Sequence, residues 1–120
     1  MINKERLLST FLEYVQIDSE TGDEAAMAQR LVEDFKAIGC EVTTDEIHEV
    51  AMTTGCNVYA TLPGRADLEP IMFSAHMDTV VPGKGIEPYI EDGVIKSGPD
   101  TILGGDDKSG IAGIIEAIRS

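Results

Sequence analysis

The chain has 120 residues and 42% hydrophobic content, enough for one packed core and too apolar for a disordered polymer. Its formal net charge of −13 repels phosphate backbones and anionic lipid headgroups, so neither nucleic acid nor a membrane surface is an expected partner. The apolar runs are short and interrupted, which argues against a membrane-spanning helix, and the opening MINKERLLSTFLEY lacks the apolar stretch and small-residue cleavage site of a signal peptide.

The first periodic segment is NKERLLSTFLEYVQI, where Leu7, Leu8, Phe11, Leu12 and Val15 fall on one helical face behind Asn3 as N-cap. DSETGDE breaks it. A second helix, DEAAMAQRLVEDFKAIG, carries the stripe Met27, Leu31, Phe35 and Ile38, opens on acids and closes at Gly39. CEVTTDEI and NVYATLP alternate and are β-branched, as half-buried strands are. EPIMFSAH is a nearly continuous apolar run, the pattern of a strand buried on both faces. YIEDGVIKS predicts a hairpin turning at Asp92-Gly93. The last segment, LGGDDKSGIAGIIEAIRS, makes a glycine turn and then a helix from about Asp107, with Ile111, Ile114, Ile115 and Ile118 facing inward. The expected class is α/β, a mixed β-sheet with flanking helices. GIIEAIRS has no helix-stop signal, so a longer protein is expected to continue past Ser120. Cys40 and Cys56 lack CxxC spacing and read as idle thiols in a reducing cytoplasm.

Two short stretches carry chemistry. In SAHMDTVVPG, His76 and Asp78 lie at the C-terminal end of the expected buried strand, where open α/β sheets place their sites. A neutral imidazole suits zinc, and a carboxylate on its other nitrogen fixes the tautomer, so the pair reads as a ligand with its clamp or, more plainly, as a capped strand end. In GGDDKSG, Asp106 and Asp107 stand where a glycine turn enters a helix. Helix capping accounts for one aspartate and does not require two. A second carboxylate can bridge two cations, as in two-metal hydrolases. The spacing fits neither a phosphate loop nor an EF-hand. His48, in TTDEIHEV, reads as a surface residue, and Lys108 and Ser109 read as helix-surface positions.

FSAHMDTVVPG followed by LGGDDKSGIAGIIEAI resembles the dizinc exopeptidase family that includes peptidase T, carboxypeptidase G, aminoacylase and the succinyl-diaminopimelate desuccinylases, and within it is most similar to peptidase T. LLSTFLEYVQIDSETGDE and LVEDFKAIGCEV resemble the first two helices and first strand of that family. The resemblance implies that residues 1–120 are the N-terminal portion of a zinc-exopeptidase catalytic domain, without the lid domain and the C-terminal catalytic part. It implies a cofactor of two zinc ions per complete site. His76 would ligate one, Asp106 would bridge both, and Asp78 would be the catalytic-site carboxylate that orients His76. It also implies a cis bond between Asp106 and Asp107, a short peptide as substrate, a homodimer through the lid domain, and a cytoplasmic location.

The family also needs a Glu-Glu pair supplying the general base and a further ligand, a later aspartate and a distant histidine, none of which lies in this stretch. The 120 residues by themselves are therefore expected to be inactive, because zinc takes three or four protein ligands. Two other readings stay open. One is a non-catalytic module that binds a partner along an unpaired sheet edge. The other is an aminoacylase or deacylase of the same family.

Overall fold

The computed structural model describes residues 1–120. Helix α1 spans Lys4–Val15 and α2 spans Ala25–Ala37. Strands β1 (Glu41–Thr44) and β2 (Val58–Thr61) pair antiparallel, with a short 3-10 turn at Ile47–Glu49 between them. Strands β3 (Pro88–Glu91) and β4 (Val94–Ser97) form a second antiparallel pair, and α3 (Gly105–Arg119) ends the fold. One parallel bridge, Glu20 to Thr79, ties the α1–α2 connector to the stretch before the second hairpin. The α/β class and the flanking helices are as the sequence implies, with strand pairing divided between two small ladders and that bridge.

Local signals set the helix ends. Asn3 caps α1, its side chain accepting from the Arg6 amide at 3.0 Å. Gly39 takes a φ of +94° just past α2, a conformation glycine reaches without steric cost. At the hairpin tip Asp92 and Gly93 have φ of +50° and +75°, the two left-handed residues of a turn that matches strand twist.

The core lies between the three helices. Phe11, Tyr14 and Val15 of α1 meet Met27 and Leu31 of α2 and Ile111, Ala112 and Ile115 of α3. Polar clamps fix the pairs. The buried Tyr14 hydroxyl donates to Asp34 at 2.7 Å, and the Arg30 guanidinium sits 5.4 Å over its ring. Between α1 and α3, Arg6 grips Glu116 with two contacts of 2.7 and 2.8 Å, while the Asn3 amide donates to the same carboxylate at 2.7 Å.

Those bonds to Arg6 and Asn3 pull the Glu116 carboxyl down to about 2 from its ordinary 4.5. A carboxyl depressed in the folded state adds stability above its unfolded value, and that stability is lost as pH falls from about 4.5 through about 2. Glu116→Gln is therefore expected to lower the urea midpoint at neutral pH and to flatten the acid limb across that window. Urea titrations at pH values on either side of the window check both.

Two expectations need correction. Residues 69–76 form no strand, and Ile71, Met72 and Phe73 are 81%, 89% and 64% exposed. A buried strand needs neighbours for its backbone N–H and C=O groups. Both ladders of this chain pair only within themselves, and no backbone hydrogen bond joins either of them to this run. The buried face of α3 is also more polar than expected: Lys108 and Glu116 are fully covered beside Ile111, Ala112 and Ile115, whereas Ile114 and Ile118 are half-buried.

Candidate metal centre

His76 leaves the non-strand segment 69–76, and Asp106 sits in the turn that starts α3, yet the fold brings them together. His76 Nε2 lies 3.0 Å from Asp106 Oδ1, thirty residues away in sequence. On the other side of the ring, His76 Nδ1 lies 3.0 Å from Asp78 Oδ1. All three line a cleft of about 310 Å³ that also takes in Gly104 and Gly105.

The two aspartates of GGDDKSG divide their work. Asp107 is the helix cap: its Oδ1 accepts from the Gly110 amide at 3.2 Å. A Cβ on Gly110 would meet that oxygen at 2.4 Å, so glycine is what lets the cap close. Asp106 is left free, with a side chain 95% exposed and His76 as its partner. Gly104, at a φ of +82°, turns the chain into this arrangement, and the Asp106–Asp107 peptide bond is cis, as the family resemblance implies.

Charge follows the geometry. Hydrogen bonding to Asp106 first, and then to Asp78, raises the His76 pKa. Hydrogen bonding to Thr21 first, and then to His76, lowers that of Asp78. The imidazole thus sits between two carboxylates, with Nδ1 directed at Asp78 and Nε2 at the open cleft. A cation can take Nε2 only where that nitrogen is unprotonated.

The donor set fits zinc. One imidazole nitrogen and one carboxylate oxygen converge at 3.0 Å, and tetrahedral zinc holds such a pair at roughly 3.4 Å, so a small opening admits it. The free second oxygen of Asp106 leaves a bridging role open.

Some participants carry no recognisable signal in the sequence. Thr21, in the DSETGDE break, donates its hydroxyl to Asp78 Oδ2 at 2.5 Å. Ser19 donates to the Met77 carbonyl at 2.9 Å. Lys108, expected at the helix surface, is fully buried and donates to the Ile17 carbonyl at 2.6 Å, and burial pushes its ammonium down to about 8. Helical spacing could have found Lys108, since it shares a face with Ile111, Ala112 and Ile115. His48 is exposed as expected, beside Glu46 and Glu49.

No protein-family model matches the chain. A tripeptidase from Staphylococcus aureus subsp. aureus Mu50 superposes with a TM-score of 0.95 at 42% identity, over 99% of this chain and 32% of that one. This stretch is similar to about a third of that tripeptidase. Aminopeptidase PepT from Bacillus cereus ATCC 10987 matches the same stretch with the same TM-score of 0.95, at 48% identity over 98% of this chain and 32% of its own. Peptidase T of Alkaliphilus oremlandii is 28% identical over 94% of the segment and 37% of its own length. Uncharacterized protein YqjE of Bacillus subtilis strain 168 is 44% identical over 99% of the segment and 32% of its own length. The segment spans about a third of the length of these relatives. No helix is long and apolar enough to cross a membrane.

Proposed function

We propose that the chain is the N-terminal part of the catalytic domain of a cytoplasmic, zinc-dependent exopeptidase that releases N-terminal residues from short peptides. The observation that carries this reading is the meeting of His76 and Asp106 at 3.0 Å, with Asp78 behind the imidazole, in a segment that superposes on a tripeptidase at a TM-score of 0.95.

Two zinc ions, when bound, supply Lewis-acid polarisation of the scissile carbonyl and lower the pKa of a nucleophilic water. The residues of this chain have narrower tasks. His76 offers Nε2 as a ligand, Asp106 offers a carboxylate with one oxygen toward His76 and the other free, and Asp78 holds Nδ1 so that the imidazole keeps its ligating tautomer. The proton-transfer base and the remaining ligands come from outside residues 1–120 in this reading. Two donors hold zinc weakly, so the segment alone is inactive.

The test is tripeptide hydrolysis by the full-length protein. Activity should vanish on exhaustive chelation and return with added zinc; activity that survives chelation overturns the metal reading. Asp78→Asn removes the charge behind His76 and is expected to weaken zinc binding by about 10–100-fold, the range for loss of an outer hydrogen-bond partner. Competition with a chromophoric chelator measures it.

A further inference from the structure

Lys108 is the one buried ammonium in the fold whose task the reading above leaves unassigned. Burying a charge is costly unless it is hydrogen-bonded, and this one spends its length reaching a single backbone carbonyl, that of Ile17, at 2.6 Å. On the way its stem passes over the glycine turn: a Cβ on Gly104 would stand 4.0 Å from Lys108 Cδ. The side chain therefore straps the start of α3 to the connector between α1 and α2.

That connector also holds the other half of the site. Ser19 Oγ donates to the Met77 carbonyl at 2.9 Å, the Thr79 amide donates to the Ser19 carbonyl at 2.8 Å, and the Thr21 amide donates to the Thr79 carbonyl at 3.0 Å. Thr21 Oγ1 grips Asp78 itself at 2.5 Å. Five consecutive residues, Ile17 to Thr21, thus touch the His76–Asp78 arm at one end and the Asp106 arm at the other.

We infer that Lys108 is a positioning residue: by clamping the Gly104–Asp107 turn to the Ile17 carbonyl, it sets the separation of Asp106 from His76 and so prepares the metal centre. The metal part of this inference rests on the function proposed above; the separation part does not.

The test compares the full-length protein with its Lys108→Met variant, which keeps a long apolar stem and removes the N–H donors. Crystal structures of both without metal give the first readout, and zinc competition gives the second. The variant should let the His76 Nε2–Asp106 Oδ1 separation, 3.0 Å in this chain, widen past the roughly 3.4 Å that tetrahedral zinc spans, and lose zinc affinity by roughly 10-fold or more. The direction is diagnostic, because removing a positive charge near a cation site would by Coulomb's law alone strengthen binding. Tyr14→Phe, which deletes a buried hydrogen bond away from the cleft, should lower stability and leave zinc affinity unchanged.

A Lys108→Met protein that keeps both the contact and the affinity overturns the inference. If the parent protein binds no zinc through His76, the metal reading fails, and the contact distance alone decides the role of Lys108. If the variant does not fold, a crystal structure of the parent decides: Nζ on the Ile17 carbonyl supports the strap, and Nζ turned into the cleft overturns it.

Discussion

In the full-length protein, His76→Ala is expected to lose zinc and to lower kcat/KM by more than about 100-fold, beyond the upper end of what an outer hydrogen-bond partner is worth. His76 is the only imidazole in the cleft, and no neighbouring side chain can take its place: Asp78 is held by Thr21 and Asp106 already faces the same opening. Removing the ring also frees Asp78 and Asp106 to repel each other across the gap, which opens the cleft rather than closing it. Zinc content after gel filtration and steady-state kinetics on a tripeptide check the result together. A variant with stoichiometric zinc and near-normal turnover would remove His76 from the centre.

The second large effect is on stability. Ile115 is 0% exposed, on the inward face of α3 within the cluster that joins all three helices. Ile115→Ala in the 120-residue chain is expected to cost about 2–5 kcal/mol, the transfer loss plus the cavity left between helices that cannot fully collapse. Against a total of about 5–15 kcal/mol for a domain, that is enough to shift the urea midpoint strongly without changing the slope. Ile71→Ala is the matched contrast. Ile71 is 81% exposed, so its truncation should stay within about 0.5 kcal/mol. Equal losses at the two positions would mean that residues 69–76 pack as a buried strand after all.

The contrast between Ile115 and Ile71 also marks where sequence reasoning works. Both are apolar residues in apolar runs. Helical spacing places Ile115 on the inward side, because a helix satisfies its own backbone and its burial depends only on which face meets a neighbour. A strand has no such independence. The EPIMFSAH run has the composition of a central strand, but a ladder exists only where another strand supplies the hydrogen bonds, and the partner is not written in the run itself.

The site divides in the same way. HxD and GGDD were legible as chemistry because residue type and local position carry the argument: a carboxylate two residues from an imidazole, and two aspartates where a helix cap requires one. Only the resemblance pointed to Asp106; which aspartate caps and which stays free was not legible in the residues alone. It depends on the Asp107 oxygen finding the Gly110 amide, a geometry set by the turn at Gly104. Thr21 carried no signal, being one hydroxyl in a polar break that meets Asp78 only through the parallel bridge of Glu20 and Thr79.

The sequence by itself determined the helices, the end signals at Asn3 and Gly39, the Asp92-Gly93 hairpin and the residue types of the candidate centre, because each depends on contacts within a few positions along the chain. Only the tertiary structure decided that His76 meets Asp106, that Lys108 is buried on the Ile17 carbonyl, and that residues 69–76 stay unpaired. The two contacts join segments thirty and ninety-one residues apart, where local propensity is silent, and the unpaired run reflects the lack of a partner strand, which no local signal reports.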